Sequence, residues 1–189
     1  PAQRTKQLLS AFGVQLSAGS LDNFRRRAAQ ELVPFMHRLT QAITNATSAF
    51  FDETGMKVSG AGHWVHVACT SLLTLFSLQR KRGRIAHQAM NILPNFRGVL
   101  HRDDYHSYHD YQEATHALCN AHLLRDLKFA AEHDGQASWA EPLIELLLKI
   151  KEQVERSDGR VLCPAWQGRH RQTYRQIIQN GLKQNPPTI

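Results

Sequence analysis

The sequence predicts an α/β protein in which helices come first, a mixed sheet follows, and helices close the chain. Three observations carry that expectation. Apolar residues recur at spacings of three and four from Arg4 to Leu32, the period changes to that of strands between Phe50 and Leu78, and the chain is mostly helical beyond Leu118. A chain of 189 residues, 42% hydrophobic and 21% charged, can bury a sizeable core. Its net charge of +7 points to a polyanionic partner.

From Arg4 to Leu32 the pattern is helical, with Leu8, Leu9 and Phe12 on one short face, a break at Gly13, and Leu21, Phe24, Ala28 and Leu32 on a second face. Ser17 and Ser20 are both N-cap candidates for that second helix. Two short helices with a Gly-containing turn, the second bearing Arg25, Arg26 and Arg27, read as a helix-turn-helix-like DNA-binding segment over residues 1–45. The bland alternative is a helical hairpin with a solvated basic face. Pro34 and the Thr40 to Ser48 stretch look like a bridge into new organisation.

Residues 46–189 then read as one core. Phe50 and Phe51 start a strand that ends in Asp52-Glu53 and turns at Gly55, and Ser59-Gly60-Ala61-Gly62 marks a hairpin turn. Trp64 to Cys69 and Leu72 to Leu78 complete a three-stranded meander. Lys81-Arg82-Gly83-Arg84 leads into a helix, Ile85 to Leu93, which Pro94 stops. Val99 and Leu100 form a fourth strand ending in Asp103-Asp104. Leu143, Leu146, Leu147, Ile150 and Val154 make an amphipathic stripe expected to pack on the sheet, with stops at Asp158-Gly159 and Cys163-Pro164, before a last helix from Gln172 to Leu182 that runs into Asn185-Pro186-Pro187.

The three cysteines, Cys69, Cys119 and Cys163, form no secreted-style framework, no apolar leader opens the chain, and no apolar run is long enough for a membrane span, so a reducing cytosol is expected. The first residue is Pro1 rather than Met, which reads as a piece of a longer product.

Two constellations could carry chemistry. Asp52 follows the first strand and Asp103 the fourth; if those strands are neighbours, the carboxylates converge and either repel or recruit a divalent cation. Hard oxygen ligands suit Mg²⁺ or Mn²⁺, and paired ions serve phosphoryl transfer. The alternative is two solvated strand-end acids. In THALCNAHLLRDLK, His116, Cys119 and His122 recur every three residues, which on one continuous helix could hold zinc; the other reading makes His116 to Cys119 a strand edge. Arg125 and Lys128 add positive charge beyond. His63, His66, His101, His106 and His109 lie near the expected sheet edge. No phosphate-binding glycine loop, dinucleotide fingerprint or G-x-S-x-G elbow is present.

The phrases LSAGSLDNFRRRAA, DETGMKV, GHWVHVACTSLLTLF, KRGR, FRGVLHRDDYHSY, HALCNAHLLRDLKF and GLKQNPP, in that order, resemble transposases of the insertion-sequence family IS-sixty-six through essentially the whole chain. The resemblance implies a DNA transposase with a ribonuclease-H-like catalytic core and an Asp-Asp-Glu (DDE) triad holding two Mg²⁺ (or Mn²⁺) ions. Asp52 and Asp103 match the two aspartates, as metal ligands; hydrolysis at a transposon end is followed by attack of the freed 3′-hydroxyl on target DNA. It implies Arg25, Arg26, Arg27, Lys81, Arg82 and Arg84 as phosphate contacts, double-stranded DNA as partner, a homodimer on DNA, accessory proteins of the same element, and a bacterial cytoplasmic, nucleoid-associated location. Asp104 stands where the family tends to have Gly, and with His116, Cys119 and His122 it is a candidate neighbour of the site. The family's third acid lies in an Asn-Asn-x-x-Glu-Arg phrase that does not occur here; Glu132, Glu141 and Glu145 sit in the wrong context, and Glu53, one residue after Asp52, leaves a strand on the opposite face. The sheet is thus expected to be an incomplete ribonuclease-H-like one flanked by helices. Three functions follow for test: a transposase lacking a complete triad, a non-catalytic protein that binds transposon ends as relic or regulator, and a metal-dependent nuclease acting on hybrids or junctions.

Overall fold

The computed structural model describes residues 2–157 and 161–186, which leaves the expected Asp158-Gly159 stop and Pro187 outside the described residues. The chain divides into two compact units, residues 1–117 and 118–189. The architecture is mixed α/β in the predicted order: helices, a five-stranded sheet, then helices.

In the first unit, α1 (Ala2–Ala11) ends where Gly13 takes a φ of 77°. Val14 N–H then donates to Leu9 O and Gly13 N–H to Ser10 O, the paired bonds of a Schellman stop. Helix α2 (Ala18–Glu31) starts on Ser17, whose Oγ accepts from Ser20 N–H at 2.9 Å. The expected bridge after Pro34 is instead a third helix, α3 (Val33–Thr44). Pro34 sits in its first turn, where a missing N–H costs nothing, and Ile43 and Leu39 anchor its far end in the core.

Strand β1 (Ser48–Val58) does not stop at Asp52-Glu53 or turn at Gly55. Gly55 stays in the ladder opposite Trp64, and the chain reverses at Ser59-Gly60, both with positive φ (49° and 81°), the geometry of a type I′ hairpin. Strands β2 (Ala61–Cys69) and β3 (Thr74–Gln79) continue the meander, antiparallel throughout. Helix α4 (Arg84–Met90) is shorter than predicted because Asn91 adopts a left-handed conformation (φ 55°) before Pro94 is reached. The chain then returns as β4 (Val99–Arg102), parallel to β1, and β5 (Thr115–Leu118) completes the order β3-β2-β1-β4-β5. Gly98 admits β4 to this place: a Cβ there would lie 2.5 Å from Ala46 O, a backbone atom that cannot yield.

The core lies on one face of this sheet. Ala49, Phe51, Ala68, Leu75 and Leu100 point into it, against Ile43, Ile92, Phe96 and Tyr108. The opposite face carries Phe50, Phe76 and Leu78, all exposed.

The second unit is helical: α5 (Asn120–His133), α6 (Ala137–Arg156) and α7 (Pro164–Gln184). The α6 stripe predicted to meet a sheet finds its partners on helices, with Leu143 and Leu146 buried beside Leu127 of α5 and Ile177 and Ile178 of α7. Helix α7 begins eight residues before the predicted Gln172, because Cys163-Pro164 is a start rather than a stop: proline is preorganised for a first turn. Gly181 lets α7 approach α6, since a Cβ there would sit 3.0 Å from the Trp139 ring.

Candidate functional site

Parallel pairing matches Ala49 with Leu100 and Phe50 with His101. Continued two residues, that register sets Asp52 beside Asp103 on the face away from the core. A carboxylate oxygen of each lies within 4.8 Å of the other. The convergence that sequence spacing made conditional on strand order is therefore present. Both acids are held by main chain: Asp52 Oδ1 accepts from Glu53 N–H at 2.8 Å, and Asp103 Oδ1 from Tyr105 N–H at 3.0 Å. The donor set, two hard oxygens on adjacent strands, fits Mg²⁺ or Mn²⁺.

Arg82 has a different setting from the rest of its basic run. Its Nε donates to Glu53 Oε1 at 2.6 Å, its Nη2 reaches Asp103 Oδ2 at 3.3 Å, and its guanidinium carbon lies 3.6 Å from the centroid of the Tyr105 ring. Burial alone would lower the Arg82 pKa, but the Glu53 hydrogen bond and the charges of Glu53 and Asp103 outweigh it and raise it. A guanidinium so committed is a strut within the fold, whereas Lys81 and Arg84 on either side are exposed. Glu53 leaves β1 on the core face, as strand geometry requires, and its other oxygen accepts from the Tyr108 hydroxyl at 2.5 Å. Burial, then the Glu53 charge, pushes the Tyr108 pKa far up, so it remains a donor.

Around this pair, Asp104 is exposed and turned toward Arg102 (2.8 Å) and His109 (3.2 Å). The Arg102 bond first, and His109 second, hold its carboxyl below the usual range. His101 stacks on Phe50 with centroids 4.3 Å apart and bonds Ser48 Oγ. His116 belongs to β5, where its Nδ1 accepts from Arg102 and its Nε2 lies 3.0 Å from Tyr111 O. Because β5 ends at Leu118 and α5 begins at Asn120, His116, Cys119 and His122 do not share one helix, and the arrangement that could have held zinc is not formed. Cys119 is a free thiol at the N-cap of α5, and His122 lies in its first turn. His66, expected at an edge, is buried in the core, while His106 and His109 are exposed and His63 is half-buried.

Arg25, Arg26 and Arg27 all project from α2, paired only with Asp22 and Glu31 of the same helix. Such exposed pairs are screened by solvent and yield readily to a phosphate.

Sequence reasoning missed the partners of Glu53. Arg82 and Tyr108 stand 29 and 55 positions away, beyond the reach of any periodicity, and the only local signal was the strand parity that turns Glu53 inward.

A family model described as "Transposase IS66 family" matches residues 1–188. No curated protein and no solved structure matches the chain. Among the described residues, no helix is long and apolar enough to cross a membrane.

Proposed function

The chain belongs to the IS66 transposase family, and from that premise we propose that it carries the DNA-processing site of a DDE-type transposase, with Asp52 and Asp103 as metal ligands. The observation that supports this most is the pair of carboxylates within 4.8 Å on adjoining parallel strands. In this reading residues 46–189 form a ribonuclease-H-like core, which the order β3-β2-β1-β4-β5 with β4 parallel to β1 supports. Residues 1–45 form a helix-turn-helix-like arm on double-stranded DNA, and the chain works as a homodimer that joins two transposon ends, with accessory proteins of the element.

Asp52 and Asp103 would hold Mg²⁺ or Mn²⁺. Divalent ions in such a site supply activation of the attacking hydroxyl and stabilisation of the leaving oxygen in phosphodiester hydrolysis and strand transfer. The protein's own part is positioning. The main-chain donors from Glu53 and Tyr105 fix the rotamers of both acids, and Arg82 ties Asp103 to the buried Glu53. Arg25, Arg26, Arg27, Lys81 and Arg84 offer exposed charge to the backbone of DNA.

A second reading has a specific observation behind it. The Arg82 guanidinium already neutralises part of the charge on Asp103, which weakens its pull on a cation and favours a protein that binds transposon ends without cutting them. Incubating the purified chain with transposon-end DNA and Mn²⁺ separates the two. Nicking that disappears in Asp52→Asn is the expected result. End binding with no nicking in wild type and variant alike would leave only the binding role, and equal or better cleavage of RNA–DNA hybrids would move the activity to the nuclease class.

A further inference from the structure

We propose that Glu53, His66 and His87 form a buried zinc site beneath β1, independent of the Asp52–Asp103 pair. One potential ligand atom from each of the three lies within 4.8 Å of the others, and all three residues are buried. Four-coordinate zinc with bonds of about 2.0–2.2 Å holds its donors roughly 3.4 Å apart. The three side chains would close by up to about 1.4 Å around the ion.

The surroundings of each ligand are those a metal requires. His87 Nε2 is shielded from solvent and has no hydrogen-bond partner, while its Nδ1 is 3.2 Å from the Tyr111 hydroxyl. That bond leaves Nε2 as the ligating nitrogen once Nδ1 carries the proton. His66 is arranged alike, with Nε2 3.4 Å from the Lys81 carbonyl, so a proton there leaves the lone pair on the other ring nitrogen. Glu53 is oriented by Arg82 and Tyr108. An outer partner on every ligand is the pattern of stable zinc centres.

A cavity of about 10 Å³ borders both histidines. Tyr108 and the apolar Phe51, Val67, Met90, Ile92 and Leu93 complete its walls, and one water there would supply the fourth ligand that Glu53, His66 and His87 leave open. Arg82 on Glu53 Oε1 opposes a second cation, yet a carboxylate offers about four lone-pair positions, and Asp103 shares the guanidinium charge. Two nitrogens and one oxygen are a donor set that suits zinc. The ligands come from β1, β2 and α4, so the ion would fasten the seven-residue α4 to the sheet.

The test uses the full chain, freed of metal by chelation and titrated with Zn²⁺ against a chromophoric competitor, with Co²⁺ as the spectroscopic substitute. The expected result is one tight zinc per chain and the intense visible bands of four-coordinate Co²⁺. Both persist in Asp52→Asn. Affinity falls at least tenfold in His87→Met, which keeps the volume but removes the nitrogen, and about tenfold in Tyr111→Phe, which removes only the outer partner. Tyr111→Phe decides the matter if His87→Met does not fold by circular dichroism. Absence of stoichiometric binding, or binding unchanged in the variants and so located at the thiols or surface histidines, overturns the proposal.

Discussion

Successive residues of β1 face two different environments. Ala49, Phe51 and Glu53 point into the core, and Phe50, Asp52 and Thr54 point away from it. Phe51 is 5% exposed and packs edge-on against Phe96, whereas Phe50 is 49% exposed and stacks only on His101. Among the acids, Glu53 is satisfied by Arg82 and Tyr108, while Asp52 meets another carboxylate. The lesson is a division of labour at a period of two. One face of the strand secures the fold, and the other presents like charges whose mutual repulsion only a cation or a protein donor relieves.

The phenylalanines provide the sharpest way to break that comparison. Phe51→Ala removes a filled core position and should destabilise by about 3–5 kcal/mol, against about 1 kcal/mol for Phe50→Ala next door. Urea unfolding of the two variants measures both. Equal losses would mean that the outward face is as structural as the inward one.

The acids sharpen it further. Glu53→Leu strands the Tyr108 hydroxyl and deprives Arg82 of its closest partner, and because Arg82 keeps 28% of its side-chain exposure the cost should sit near the low end for a broken buried pair, about 3 kcal/mol. Replacing both charges, in Glu53→Leu with Arg82→Met, should recover at least about 1 kcal/mol of the summed single losses, since no uncompensated guanidinium remains. Strict additivity in denaturant titrations would show that the pair is not coupled. Asp52→Asn is the control on the opposite face, with a stability change within about 0.5 kcal/mol.

How much of this was legible in the sequence depends on the reach of the signal. Local chemistry carried well: Gly13 ended α1, Ser17 capped α2, Ser59-Gly60 closed the hairpin, and the α6 stripe named its own buried residues. Long-range placement did not carry. That α6 buries its stripe against α5 and α7 follows from packing partners on those helices, which no periodicity specifies. Proline was ambiguous, since Pro34 and Pro164 both read as interruptions yet each lies in the first turn of a helix. The run Lys81-Arg82-Gly83-Arg84 announced positive charge but not that Arg82 would turn inward onto Glu53. Asp52 and Asp103 could be paired in advance only on the condition that β1 and β4 were neighbours, a condition that depends on Gly98 admitting β4 against Ala46 O.

Asp104 marks the weak end of the comparison. It follows Asp103 immediately, yet its Oδ1 is committed to Arg102 and His109. Arg102 is buried, so losing its one carboxylate partner has a cost, but Asp104 is 75% exposed and water can take its place. Asp104→Asn should therefore destabilise by no more than about 1 kcal/mol after solvent screening. The folded carboxyl titrates below its ordinary value of 3.8, so this contribution is present above that value and fades as pH falls through and below it. A stability difference between wild type and variant that shrinks as the buffer is taken below about pH 4 is the expected record. Mn²⁺ affinity at Asp52 and Asp103 should change less than about twofold in the variant, because the Asp104 carboxylate is directed at Arg102. A larger loss would make Asp104 a third acidic ligand, and the open face of β1 would then hold more of the metal site than its two aligned aspartates.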